Sequence, residues 1–316
     1  MNPFLLKPFP KGYIWGGKNL VRYGKMLNAD KMAESWELSA HPDGPTKIKT
    51  GPLTGMSFID FVNNYPGEWQ RDENKGKDAN HNFPILIKFI DAQNSLSIQV
   101  HPDDDYAMEH EGESGKTEMW YILEAEPDAF LYYGFEHEIS REEFAERIQN
   151  DSLTDVLHRQ PVKAGEAYFI PAGTIHAIGK GIVLAEIQQS SNSTYRVYDF
   201  GRRDKDGNLR PLHVDKAIDV TDLKPVEVET PLKVTKNGLL INCPYFSVTK
   251  LDLEGNYAAK GLGSKGFRTL LFLDGEANLR DGANTMVCKK GDCLFIPASC
   301  LDFKLDGKAS ILDISH

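Results

Sequence analysis

The sequence has no apolar run of signal-peptide or membrane-spanning length, no basic stripe, and no cysteine pair at CxxC spacing. The opening MNPFLLKPFPKGYIW is too broken by Pro and Lys for a secretory leader, so a cytoplasmic chain without a membrane partner is expected. A net charge of −10 argues against nucleic acid as a partner. It leaves room for a small anionic substrate, which feels local groups rather than the total. Cysteine is scarce: the four residues Cys243, Cys288, Cys293 and Cys300 read as reduced, partly buried thiols. Asn192-Ser193-Thr194 is formally a glycosylation acceptor, but without a secretory signal it carries no weight. Long helical patterns are also wanting, since 17 prolines and 27 glycines are spread along the chain. Many short strands joined by turns are expected instead, in a chain of 316 residues, long enough for two packed domains.

What is present is a repeated phrase. Gly165–His176 reads GEAYFIPAGTIH: a strand, a Pro-Ala-Gly corner and a histidine just past the corner. Lys163-Ala-Gly-Glu-Ala-Tyr-Phe-Ile-Pro-Ala returns 126 positions later as Lys289-Lys-Gly-Asp-Cys-Leu-Phe-Ile-Pro-Ala. Upstream, Trp120–Glu126 returns as Leu270–Glu276 at an offset of 150. The two offsets differ by 24, the length of the segment Glu136–Arg159. There Ser140-Arg-Glu-Glu is a capping box, and Phe144 with Ile148 supplies an apolar stripe. The first copy is therefore the second plus a helical excursion at 136–159. Domains at 1–225 and 226–316 follow, joined through the proline-bearing segment 222–236.

Along the first copy, residues 1–55 look irregular, apart from a short strand at Ala33–Ser39 and many turns. Ser57 should cap a short helix, and the polar stretch Asp72–Asn82 should be a loop. Pro84–Ile90 is a buried strand containing Lys88, whose amine is expected to reach water along its buried stem. In Ser95–Pro102, Leu96, Ile98 and Val100 share one face; Ser97, Gln99 and His101 share the other. Pro102 keeps His101 extended, and Asp103–Glu111 should form a short acidic-ended helix. Lys116–Leu123 is a further strand with Glu118 near its start.

Gln99, His101, Glu118 and His176 thus fall on three strands of one unit. At the two offsets their counterparts are Thr249, Leu251, Arg268 and Asp302, so the whole set disappears together in the second copy. A carboxylate, two imidazoles and an amide oxygen suit Zn²⁺, with Fe²⁺, Mn²⁺ or Co²⁺ also compatible. The other histidines (His41, His81, His110, His137, His158, His213 and His316) lack such company; His41 is the one to check for proximity.

Gly165-x5-Pro171-x-Gly173-x2-His176 resembles the second cupin signature, and Gln99-x-His101 with Glu118 resembles the first. Together SIQVHPDD, GKTEMWYIL, PAGTIHAI and Glu186…Arg196 resemble the class I mannose-6-phosphate isomerases of the short bacterial type, from Trp15-Gly16-Gly17 to about Asp199. The resemblance implies a mainly β fold of two jelly-roll cupin barrels in tandem, with short helical insertions. It implies one Zn²⁺ per chain on Gln99, His101, Glu118 and His176, and a catalytic arginine at Arg196. The activity implied is interconversion of mannose 6-phosphate and fructose 6-phosphate by a monomer or small homo-oligomer. Where the family often has Ser-Asp-Asn, this chain has Ser191-Asn192-Ser193, which leaves the general base open. Lys116 is a second catalytic candidate; Lys88, Ser97 and Trp15 are candidates for the substrate or its phosphate. The competing structural accounts are a solvated loop lysine for Lys116, and an ion pair of Arg196 with Glu186 or Asp199. Two rival functions remain beside the isomerase: an Fe²⁺ cupin oxygenase, and a non-catalytic sugar-binding bicupin.

Overall fold

The run at Pro84–Ile90 forms a strand because apolar side chains cover both of its faces: Ile85–Ala92 (β5) is buried throughout. A computed structural model describes residues 1–26, 31–71, 83–203, 207–282 and 284–316; the expected loop at 72–82, with His81, lies outside them. In the first unit β5 sits in a six-stranded sheet. Its order is Ala167–Ile170 (β10), Glu118–Ala125 (β7), Ile182–Gln189 (β12), β5, Glu34–Leu38 (β3) and Phe9–Lys11 (β2). The facing sheet runs Tyr195–Tyr198 (β13), Ile98–Val100 (β6), His176–Ile178 (β11), Phe130–Phe135 (β8) and Leu157–Pro161 (β9). Between the two sheets lie Trp120, Ile122, Leu131, Tyr168 and Leu184, in one apolar cluster.

The second unit is one curled sheet built on three 14-residue strands: Ser247–Lys260 (β15), Arg268–Asp281 (β16) and Asp302–Ser315 (β19). Leu239–Asn242 (β14), Asn284–Lys289 (β17) and Cys293–Ile296 (β18) extend it, with Phe4–Lys7 (β1) and Lys47–Ile48 (β4) beyond β18. Each long strand fuses two strands of the first unit and bends from one face to the other. Gly255 and Gly275 lie at the bends with φ of 86° and 73°, angles that a side chain would disfavour. Both units are therefore cupin barrels, and the fold is mainly β.

Helices are short. Asp104–His110 (α2) is capped by Asp103, which accepts from the Tyr106 N–H. Arg141–Gln149 (α3) lies in the 136–159 excursion, with Ser140 accepting from Glu143 N–H; Val214–Val220 (α4) packs beside it. Phe58–Asn64 (α1) follows Ser57, although that hydroxyl makes no capping bond. The N-terminal 55 residues are more regular than expected. β1 and β2 are only four and three residues long, too short for periodicity to show, and both pair far away in sequence.

Candidate metal centre and substrate cleft

Register brings the candidate donors together. β6 and β11 are antiparallel with Gln99 opposite His176, and β10 pairs with β7 so that Ile170 faces Glu118. Alternation then turns Gln99 and His101 to one side of their strand. His101 Nε2 lies 3.3 Å from Glu118 Oε1, and His176 Nε2 lies 3.9 Å from Glu118 Oε2. Gln99 Nε2 is 3.5 Å from His176 Nε2. His101 Nδ1 is 2.9 Å from the Ser193 carbonyl, and His176 Nδ1 is 2.8 Å from that of Thr174. A carbonyl only accepts, so both imidazoles carry the proton on Nδ1 and present the Nε2 lone pair inward.

This donor set fits a small divalent cation. Ligand bonds of about 2.1 Å in a tetrahedron place donors about 3.4 Å apart, close to the separations seen. Burial and the Lys116 ammonium pull the His101 pKa down to about 3, and burial lowers that of His176. Both rings are therefore neutral, as a ligand must be. Burial alone would raise the Glu118 carboxyl, but the adjacent Lys116 ammonium outweighs it and holds it well below its ordinary value. Lys116 Nζ stands 2.8 Å from Glu118 Oε1 and 3.0 Å from His101 Nε2, so an ammonium already finds these donors attractive.

A cleft of about 290 Å³ opens beside this cluster, lined by Trp15, Lys88, Ser97, Gln99, Lys116 and Arg196 among others. All nine residues singled out in the sequence thus line the cleft or form the cluster beside it. Trp15 stacks on Tyr13 with ring centroids 5.5 Å apart. Arg196 Nε donates to Ser97 Oγ at 3.2 Å, which reaches Gln99 Oε1 at 3.4 Å. Lys88 does not snorkel: its amine is buried and lies 2.6 Å from Glu186 Oε2. Burial lowers its pKa, yet Glu186, Glu34 and Glu118 together raise it, so it stays charged. Lys116 is likewise buried rather than a solvated loop residue. Neither expected ion pair of Arg196 forms. Glu186 is engaged by Lys88 and Trp120, while Asp199 is clamped by Arg202 and Arg210.

Tyr13, Glu34 and Arg210 also line the cleft and went unnoticed in the sequence. No motif marks them, and Arg210 arrives on a segment without strand pattern. His41 lies apart, with Nε2 3.5 Å from Glu113 Oε1, beside a separate cavity of about 400 Å³.

Register also corrects the second-copy counterparts. Ile296 faces Arg268 as Ile170 faces Glu118, and Asp302 opens β19 as His176 opens β11. Thr249, however, pairs with Asp313 as Lys88 pairs with Glu186. The residue opposite Asp302 is Lys260, as Gln99 is opposite His176. The counterparts of Gln99 and His101 are thus Lys260 and Leu262, not Thr249 and Leu251. The reason is α2: the first copy carries 11 more residues between its first two ligand strands, so the 150 offset fails upstream of it. In place of paired carboxylates the second barrel holds an Arg268–Asp313 ion pair at 3.0 Å.

Over 99% of its length the chain is 36% identical to mannose-6-phosphate isomerase ManA of Bacillus subtilis, covering 98% of that protein. The chain belongs to the type I phosphomannose isomerases. The family's phosphomannose isomerase type I catalytic domain matches residues 4–128, and its mannose-6-phosphate isomerase cupin domain matches 235–316. Mannose-6-phosphate isomerase of Streptococcus mutans is also 36% identical, over 98% of this chain and 97% of its own. The crystal structure of the Bacillus subtilis mannose 6-phosphate isomerase superposes with a TM-score of 0.91, at 33% identity and full coverage of both chains. No helix among the described residues is long and apolar enough to cross a membrane.

Proposed function

We propose that this chain interconverts mannose 6-phosphate and fructose 6-phosphate at one zinc ion held by His101, Glu118, His176 and Gln99. The observation that carries this is the buried trio of His101, Glu118 and His176, whose donor atoms lie within 4.8 Å of one another at the foot of a cleft with arginines on its rim. Gln99 completes the set once its amide is flipped, because Nε2 now faces His176 and Oε1 accepts from Ser97, and only the oxygen can serve as a ligand. When bound, the ion polarises the sugar carbonyl and gathers the adjacent oxygens.

The rest of the chemistry falls to side chains. Moving a proton between C1 and C2 needs an acid–base group in the cleft, and Glu186 with Lys88 provides one. Burial and the neighbouring Glu118 push the Glu186 carboxyl up, with Lys88 opposing, so it can take a proton from carbon and return it. Arg196 stays ionised; although burial and Arg210 lower its pKa, a guanidinium does not deprotonate in proteins. It neutralises the oxygen on which enediolate charge develops. Trp15 and Tyr13 wall the sugar. The reading places the enzyme in the cytoplasm.

The test is metal analysis followed by a coupled assay of mannose 6-phosphate to fructose 6-phosphate. One ion per chain and turnover that chelation abolishes are expected. Turnover indifferent to chelation, or two ions per chain, contradicts the reading. Dioxygen consumption in place of isomerisation would instead mark the iron oxygenase, and sugar binding without turnover the non-catalytic bicupin.

A further inference from the structure

Positive charge in the cleft is not evenly matched, and its surplus locates the substrate's phosphate if the sugar-phosphate reading above holds. Lys88 and Lys116 each face a buried carboxylate, Glu186 at 2.6 Å and Glu118 at 2.8 Å. Their charges are answered inside the protein. The opposite rim is different. There the buried Asp199, only 6% exposed, serves two guanidinium groups, with Arg196 nearby as a third. Glu34 also lines the cleft but acts on Lys88, so at the Asp199 rim three cations to one anion leave a local surplus that an anionic group in the cleft would feel.

The three arginines are not equivalent. Arg202 spends itself on Asp199 and on the Ser95 carbonyl at 2.5 Å, and it does not line the cleft. Arg196 donates through Nε to Ser97 and through Nη1 to the Pro211 carbonyl, and Ser97 ties it to Gln99 at the metal end. Arg210 lines the cleft with one edge of its guanidinium docked on Asp199: Nε to Oδ2 at 2.6 Å and Nη2 to Oδ1 at 2.5 Å. A guanidinium has five donors, so its remaining donors can serve an anion, and the Asp199 clamp holds the fork in one orientation. The segment bearing it is fixed to β13, since His213 N–H donates to the Arg196 carbonyl at 2.8 Å.

We propose that Arg210 is the phosphate anchor of the cleft and that Asp199 is its positioning residue. A hexose 6-phosphate carries its reacting carbons at one end and its phosphate at the other. Arg196 is tied through Ser97 to Gln99 at the metal end, whereas the side-chain bonds of Arg210 go to Asp199 and not to the donor cluster, so the two divide the substrate between them.

The test uses the full-length metal-loaded enzyme, with Arg210→Met, Arg210→Lys and Asp199→Asn, each checked for fold by circular dichroism and for metal content. Inorganic phosphate serves as the probe, both as competitive inhibitor and in direct calorimetric titration. Losing a charge-assisted anion contact should raise KM for mannose 6-phosphate by about 10–100-fold in Arg210→Met, with kcat within about threefold. Inhibition by phosphate should weaken in parallel. Arg210→Lys should recover part of the loss, and Asp199→Asn should shift KM in the same direction by less. Unchanged phosphate inhibition overturns the proposal, and so does a loss confined to kcat. If the wild type binds phosphate through Arg210 yet does not isomerise mannose 6-phosphate, the functional reading fails and the anion site stands. An active isomerase whose phosphate inhibition ignores Arg210 fails this inference alone.

Discussion

Arg196 and Glu186 stand ten positions apart and belong to opposite halves of the proposed chemistry, so exchanging each should produce a different kinetic signature. Arg196 touches Ser97 and not the donor cluster, so Arg196→Ala should keep fold and metal. Removing one preorganised charge-stabilising group typically costs about 10²–10³ in turnover, and the loss should fall on kcat more than on KM. Loss of metal or of thermal stability in that variant would make Arg196 structural, and loss confined to KM would make it a second phosphate contact. Glu186→Gln should also retain metal while losing about 10²-fold or more in kcat, because an amide cannot accept the carbon-bound proton. Solvent deuterium exchange at C2 separates the two: Arg196→Ala should still exchange slowly, in step with its kcat. Glu186→Gln should exchange no faster than the uncatalysed sugar phosphate. Exchange at wild-type rates in Glu186→Gln would remove Glu186 as the base. Residues of this kind were legible where spacing betrayed them. Gln99, His101, Glu118 and His176 sit on alternating strands beside turn signals, whereas Arg210 has no local pattern and is brought to the cleft by Asp199 and by contacts across the 196–213 segment.

At the level of elements, the repeat was legible because both barrels keep the same register between β7 and β10 and between β16 and β18. It failed where α2 had been inserted, since a helix changes the count without changing the strands around it. The second barrel's interior shows what the lost ligands gave way to. Asp313 pairs with Arg268 at 3.0 Å, yet burial outweighs that partner and pushes the carboxyl from 3.8 up to about 6. The folded state therefore holds a proton on Asp313 over a range in which the unfolded chain has released it. Its contribution favours folding fully below pH 3.8 and is lost as pH rises through about 6. Asp313→Asn cannot titrate, so the stability of wild type relative to this variant should fall between pH 4 and pH 7. The change should approach about 3 kcal/mol, at about 1.4 kcal/mol per pH unit. Denaturant melts at both pH values measure it. A difference that is constant with pH, or that grows toward pH 7, would show that Arg268 dominates and that Asp313 is ionised throughout.

For the whole molecule, the two barrels share one core, which the repeat alone does not reveal. β1, at the start of the chain, pairs with β18 near its end, Phe4 opposite Phe295. Phe4 and Phe295 stack at 5.2 Å, Phe58 meets Phe295 edge-on at 5.2 Å, and Phe83 lies 4.7 Å from Phe267. Lys25, buried against Glu37 at 2.6 Å, reaches the Gly291 carbonyl at 2.5 Å and so adds a polar tie across the same boundary. The segment 222–236 runs back over the first barrel, where Leu232 N–H donates to the Ala167 carbonyl at 2.8 Å. A chain ending at Lys236 would keep every donor of the metal cluster and every cleft residue. It would nevertheless lose the pairing partner of β1 and uncover Phe4, Phe58, Phe61 and Phe83, all buried in the intact protein. Exposing four such rings forfeits on the order of 10 kcal/mol, comparable with the whole stability of a domain. An unpaired strand edge beside an apolar face is also a route to aggregation. The truncated chain should therefore be recovered mainly as aggregate, with metal binding and isomerisation lost together. Light scattering and soluble yield report the first loss, and metal analysis with the coupled assay report the second. A soluble, monomeric 1–236 fragment with full turnover would mean that the first barrel stabilises itself and that the shared aromatic core is dispensable.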